Sequence, residues 1–262
     1  MIREILTYFT ESPSLKEAKI FGHLKESISL LSRESRCKKA WLPHRTECKN
    51  FILEQLHNAV HFDSILILGP GPLHEIPIYE LAQKFKKVVL VDIVHLKTTK
   101  KSLKHLKNIE FIEHDITEIE ILLLNEKKLI EKVPTSFKND NWGLVLSINI
   151  MSQLPIHLRS FIKKKLENKF TEVEIEKYLN HVTYNHLLYL NSFRCPILLI
   201  SDIETNYYDK KGRLLQTEVN YSHLKLPHSQ KNWIWNVAPI PEFDKNIAMK
   251  MTVFAFVLNS TK

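Results

Sequence analysis

The chain has 262 residues, 44% of them hydrophobic and 25% charged, and carries a net charge of +8. That length supports one large domain or a domain with a helical extension, the composition is that of a globular rather than a disordered protein, and no apolar run approaches the ~20 residues of a membrane span. The charge rests on 30 lysines against 7 arginines, whereas bidentate recognition of bases and phosphates favours arginine, so the expected partner is a small-molecule substrate rather than nucleic acid, with no membrane.

Cys37, Cys48 and Cys195 are odd in number and form no CxxC, as in a reduced, cytoplasmic protein. The N-terminal stretch carries Glu4 and Glu11 and lacks the apolar centre of a secretion signal. His44 with Cys48 and His57 with His61 have i, i+4 spacing, but no third ligand follows at a recognisable distance, so no metal is expected.

Residues 1–60 read as a helical cap broken near Ser12-Pro13-Ser14, with Leu15, Ala18, Ile20, Leu24, Ile28, Leu30 and Leu31 on its apolar face. Pro43 is positioned to open a further helix carrying Phe51, Ile52, Leu53 and Leu56. Trp41, His44 and Arg45 bring an aromatic, a titratable group and a fixed cation close together, which suits a polar substrate; the alternative is that Trp41 is a packing anchor and His44 a surface residue.

The stretch from Ser64 to Asp92 organises the remainder, residues 61–262. An apolar run (Ile65–Leu68) meets the turn Gly69-Pro70-Gly71-Pro72, then a helical period (Ile78, Leu81, Ala82, Phe85), then a second run (Val88–Val91) ending on Asp92. Pro77 in the first turn puts that helix start near Glu75 or Ile76. The chain holds only 5 glycines, against roughly 18 in an average composition. Two of them close one strand, where freedom at φ > 0 and close approach of a ligand matter. Asp92 follows Gly69 at close to the spacing at which an acid after the second strand accepts from a ribose diol. Together these features point to an adenosine-containing ligand.

Further on, Ile109–Glu113 predicts a strand ending at His114-Asp115, 117–133 a helix, and 134–141 a loop. Gly143–Ile148 predicts a strand buried on both faces. Its exit, Ser147 to Pro155, faces the same crevice as Asp92, with Asn149 either holding a substrate or, with Ser152, capping the next turn. Residues 156–193 predict one or two long helices, and Ile197–Asp202 a fifth strand with Asp202 towards the crevice. A hairpin follows, turning at Asp209–Gly212, with Tyr207 and Tyr208 as possible substrate contacts. Two closing strands include Trp233 and Trp235 on one face.

LILGPGP, LVDI, IEFIEHDIT and GLVLSINIMSQLP resemble the glycine loop and successive strand exits of class I S-adenosylmethionine-dependent methyltransferases. The resemblance implies a Rossmann-like α/β fold with a seven-stranded, mostly parallel sheet behind an N-terminal helical cap, S-adenosyl-L-methionine as cofactor, and methyl transfer as the reaction. It implies cofactor contacts from Leu68, Gly69, Pro70, Gly71, Asp92, Ile93, Asp115, Ile116, Ser147 and Asn149, with Gly69 and Gly71 at the methionine part, Asp92 on the ribose and Asp115 at the adenine. Trp41, His44, Gln153 and Tyr207 are the substrate candidates. His44, Glu75 and Asn149 are the catalytic ones, with His74 and Asp202 as further bases. Leu73 replaces the family's third glycine, Leu68 the acid before the loop, and Ile150-Met151 the prolines that follow Asn149 in amino-methylating relatives. GPGPL also looks like the GSGPL of nicotianamine synthases, which transfer the aminocarboxypropyl arm of the same cofactor. A non-catalytic binding module on this scaffold is a third reading. A dehydrogenase is disfavoured by the missing third glycine.

Overall fold

Unbroken apolar runs become the central strands of the computed structural model, which describes residues 2–259. The helices α1 (Ile2–Thr10), α2 (Glu17–Ile20) and α3 (His23–Glu54) come first, followed by one 3-10 turn at Gln55–Asn58. Then β1 (Ser64–Leu68), α4 (Ile78–Lys84), β2 (Lys87–Asp92), α5 (Lys97–Ser102), β3 (Ile109–Glu113), α6 (Glu120–Glu126) and β4 (Leu144–Ile148) alternate. The helices α7 (Leu154–Lys165) and α8 (Glu172–Asn191) precede β5 (Ile197–Asp209), β6 (Leu214–Val219), β7 (Lys231–Ala238) and β8 (Ile247–Leu258). The sheet runs β3-β2-β1-β4-β5-β8-β7, with β6 paired to β5.

Alternation along β1 builds two cores. Ile65 and Ile67 pack with Trp41, Phe51 and Ile52 of α3 and Leu81 of α4, while Leu66 and Leu68 pack on the opposite face with Leu187 and Leu190 of α8. Each fully buried side chain of this kind contributes about 1.5–3 kcal/mol. A smaller cluster joins Ala18, Leu24 and Ile28 to Val94 and Leu96, fastening the N-terminal helices over the exit of β2. Ser14 and Glu11 strengthen that attachment: Ser14 Oγ donates to Glu113 at 2.5 Å, and Glu11 accepts from the Lys97 amide at 3.0 Å.

The sheet is eight-stranded and mixed rather than seven-stranded. β1 to β5 pair parallel, but β6, β7 and β8 pair antiparallel. The run from Ile197 does not stop at Asp202; it continues to Asp209 because β8 pairs with it throughout, across a bulge at Asp202/Glu204. Pro43 does not open a helix but lies inside the 32-residue α3. A mid-helix proline costs about 3 kcal/mol, and packing overrides it: Cys37, Trp41, His44, Cys48, Phe51 and Ile52 form one buried stripe across the proline. The helix expected over 117–133 contracts to α6, which ends at Lys127 with φ 54°. α4 begins at Ile78, not at Glu75 or Ile76, because Pro77 stands before the first turn instead of within it. Among the described residues no helix is long and apolar enough to cross a membrane.

Candidate functional site

A cleft of about 420 Å³ lies at the carboxyl ends of β1 to β4, where the strand order runs outwards from β1 to β2 on one side and to β4 on the other. One end is lined by His23, Glu120 and His157, the other by Leu30, Trp41, Trp235, Val237, Met249 and Met251, with the glycine loop, Asp92, Ile93, Ile116 and Asn149 between them.

The two loop glycines serve different ends. At Gly69, φ is +67° and an added Cβ would meet the Ile150 side chain at 2.6 Å, so this position lets the β4 exit pack against the loop. At Gly71, φ is +51° and an added Cβ would find nothing within 4 Å: the backbone borders open cleft. The Gly71 amide donates to Asp92 Oδ2 at 3.0 Å, and the Ile93 amide to Oδ1 at 2.8 Å. A carboxylate offers about four acceptor positions, so Asp92 keeps roughly half of them. Leu73 keeps a glycine-like backbone with φ 68°, held by burial of its side chain in the α3 core. Arg45 ties the loop down, donating to Glu34 Oε1 at 2.6 Å and to the His74 carbonyl at 3.4 Å.

Asp115 is saturated within the chain. Oδ1 accepts from the Thr117 amide at 2.8 Å and its hydroxyl at 2.6 Å, and Oδ2 from the amides of Ile119 and Glu120 at 3.0 and 2.9 Å. Its carboxylate therefore caps the start of α6, and at this exit the cleft is lined by Ile116 as well.

Beyond Asp115 stands a pair that sequence reasoning missed. Glu120 is 3% exposed, its Oε1 is 2.6 Å from His23 Nε2, and its Oε2 has no partner. Burial, reinforced by Asp115, pushes Glu120 well above the usual carboxylate range, and burial lowers His23 to about 4. Both groups are thus driven to their neutral forms, and the contact is a Glu120 O–H donating to His23 rather than an ion pair. His157, also lowered to about 4 by burial, has its ring centroid 4.1 Å from that of His23 and contacts the Phe21 carbonyl at 3.1 Å through Nδ1.

The other end is organised by His44, which is fully buried. Its ring stacks on Trp235 at 4.0 Å and 6°, and Trp233 Nε1 donates to its Nδ1 at 2.9 Å. Burial holds His44 neutral, lowering it to about 3. An indole only donates, so Nδ1 is the acceptor and the proton is on Nε2. Asn149 Nδ2 stands 3.2 Å from Nε2; two N–H groups cannot bond one another, so the amide is assigned the other way round, with its oxygen accepting from Nε2 and its NH₂ on the far side. Glu75 Oε1 is 4.0 Å from the same nitrogen, and burial raises the Glu75 carboxyl. Trp41 packs edge-on against Trp235, centroids 5.3 Å apart, and donates from Nε1 to the Val237 carbonyl at 2.9 Å.

The cleft brings together Trp41, Gly69, Pro70, Gly71, Glu75, Asp92, Ile93, Asp115, Ile116, Asn149 and Gln153. Other candidates lie elsewhere. Leu68 is fully buried beneath the loop. Ser147 is buried against α8, 3.1 Å from His186 Nε2. Asp202 faces Ser152 and Asn220, accepting at 2.5 and 2.7 Å, because it lies within a continuing strand and not at an exit. Tyr207 donates to Glu218 at 3.1 Å, and Tyr208 lies beneath the Lys250 ammonium at 4.7 Å, both further along β5. His74 is 3.7 Å from Glu34 on the outer side of the loop. His44 and Cys48 are in contact, but no group of three or more His, Cys, Asp or Glu among the described residues is arranged to hold a metal ion.

No protein-family model and no curated protein matches the chain. Among solved structures it is similar to DhpI in complex with SAH, at 11% identity over 84% of this chain and 91% of that one, TM-score 0.39. A second is the N-methyltransferase NodS from Bradyrhizobium japonicum WM9 with S-adenosyl-L-homocysteine, at 8% identity over 81% and 85%, TM-score 0.36. A third is the Burkholderia thailandensis 1,6-didemethyltoxoflavin-N1-methyltransferase, at 11% identity over 94% and 92%, TM-score 0.41.

Proposed function

We propose that this chain is an S-adenosylmethionine-dependent methyltransferase acting on a small molecule. The observation that carries the reading is the pairing of Asp92, with unspent acceptor positions, and the open backbone at Gly71, on one wall of a cleft at the strand-order switch point. In this reading Asp92 holds the ribose diol, Ile93 and Ile116 flank the base, and the backbone of Gly69 to Gly71 meets the methionine part. Residues 1–60 act as the cap that closes over them. A cleft of about 420 Å³ suits a small acceptor. The bound cofactor supplies a methyl group already activated by its sulfonium, so the chain's own task is to align the acceptor and exclude water.

Calorimetric titration of S-adenosylmethionine and S-adenosylhomocysteine, with NAD as control and Asp92→Ala alongside, tests the reading. Binding of both adenosyl ligands to the wild type, lost in the variant, is expected; failure of the wild type to bind either overturns it. Methyl transfer leaves S-adenosylhomocysteine, whereas methylthioadenosine as product would instead identify aminocarboxypropyl transfer.

A further inference from the structure

The half of the cleft away from Asp92 carries polar groups for which the chain provides no partner. Trp235 is 8% exposed, lines the cleft, and its Nε1–H is unpartnered. The remaining amide atom of Asn149, at the Oδ1 position, is likewise buried and unpartnered, and with the amide assigned by the His44 proton it is the NH₂, a donor. Glu75 lines the cleft as well; its Oε1 is 4.0 Å from His44 Nε2, outside hydrogen-bond range, and its carboxyl has a backbone amide as partner. Trp235 stacks on the His44 ring, and Asn149 and Glu75 stand 3.2 and 4.0 Å from its Nε2, so all three residues border one imidazole and line the cleft beside it. Two are donors and one is a carboxyl. The surrounding wall is apolar: Leu30, Trp41, Val237, Met249 and Met251. Met249 and Met251 lie two apart on β8 and share a face, and thioethers adapt well to aromatic rings.

We propose that this half binds the methyl acceptor as a flat aromatic molecule carrying an acidic hydroxyl or ring N–H, oriented by Trp235 and Asn149, with Glu75 taking its proton. This rests on the methyl-transfer reading above. As the acceptor's oxygen or nitrogen uses a lone pair to bond the methyl carbon, the carbon–sulfur pair stays on sulfur and the acceptor's proton passes to the Glu75 carboxylate. Methylsulfonium and acceptor thus become thioether and methylated acceptor, with the proton on Glu75. His44 is a positioning residue: stacked on Trp235 and bonded to Asn149, it fixes both donors while remaining neutral. The charged and titratable groups acting on Glu75 are Arg45, Lys49 and Glu34, together with His44 and Cys48. The raised Glu75 carboxyl brings its basicity closer to that of the proton it removes.

The test uses the full chain saturated with S-adenosylhomocysteine and two probes, 4-nitrophenol for the hydroxyl arm and 5-nitrobenzimidazole for the ring N–H arm. Binding is read by quenching of tryptophan fluorescence, and ionisation of the bound probe by its absorbance across pH. At least one probe is expected to bind, with affinity reduced about tenfold by Trp235→Phe, the equivalent of one lost hydrogen bond. Glu75→Gln is expected to move the apparent pKa of the bound probe and to flatten the pH profile of methyl transfer. Unchanged affinity of both variants for S-adenosylhomocysteine shows that they fold. The acceptor inference is overturned on its own if S-adenosylhomocysteine binds while neither probe does, or if both variants treat the probes as the wild type does. Failure to bind S-adenosylhomocysteine sinks the methyl-transfer reading instead.

Discussion

The two halves of the cleft differ in who satisfies their polar groups. On the Asp92 side the chain does much of the work itself: Gly71 and Ile93 donate to Asp92, and four donors of one turn surround Asp115. On the Trp235 side the chain spends its hydrogen bonds on orienting His44 and leaves Trp235 Nε1 and the outward atom of Asn149 without partners. A buried polar group without a partner costs roughly 1–3 kcal/mol. The Asp92 and Asp115 carboxylates are therefore preorganised by the chain itself, with Glu120 Oε2 and His114 Nε2 left open beyond them, while around Trp235 and Asn149 it is the donors that are left open.

The largest expected effect that breaks this comparison is Asp92→Ala. Loss of charge-assisted hydrogen bonds worth about 3 kcal/mol predicts roughly a hundredfold weaker binding of S-adenosylhomocysteine by calorimetry. An unchanged affinity would mean that the preorganised half holds nothing.

Acid comes next. His23 and His157 have pKa values of about 4 in the folded chain, against about 6.5 when unfolded. The unfolded chain therefore takes up protons first, and stability is full above pH 6.5 and falls as pH drops towards 4. One pKa unit corresponds to about 1.4 kcal/mol, so His23 contributes a loss of up to roughly 3 kcal/mol. Glu120, raised by burial, acts with the opposite sign as pH falls, so the His23 contribution is read as a difference: between pH 7 and 4 the denaturant midpoint of the wild type should fall relative to that of His23→Gln. An equally steep decline in the variant would remove His23 from the account.

Asp115→Ala should lower stability by about 2 kcal/mol, as loss of a helix cap does, read as a drop in Tm. A variant of full stability that fails only to bind ligand would assign Asp115 to the ligand rather than to the turn.

The smallest and sharpest contrast separates the glycines. Gly69→Ala must displace Ile150 and is expected to lower stability by about 2 kcal/mol. Gly71→Ala bears only the backbone strain, about 1 kcal/mol, but intrudes into the cleft and should weaken cofactor binding. Equal behaviour of the two would contradict the different tasks given to them.

What the sequence revealed follows the same division. The strands, the glycine loop and Asp92 are contiguous signals: an apolar run, two glycines in a chain that uses few, and an acid at a fixed distance. The His44 hub is not contiguous. His44 meets Asn149 105 residues later and Trp233 189 residues later, and His23 meets Glu120 across 97. No local pattern encodes such meetings. Pro43 misled because its local meaning is a helix start, whereas the buried stripe from Cys37 to Ile52 crosses it. That stripe was visible as i, i+3, i+4 spacing and was the better guide. Asp202 misled because its strand gains a second partner in β8, so the position looks like an exit and is an interior.

The strand-order switch point is proposed to hold an adenosyl cofactor. A crystal structure with S-adenosylhomocysteine tests it most directly. Ribose hydroxyls are expected within hydrogen-bond distance of Asp92, the base between Ile93 and Ile116, and the sulfur facing the Asn149 and Trp235 half of the cleft. Ligand bound elsewhere, or a ribose turned away from Asp92, would contradict it.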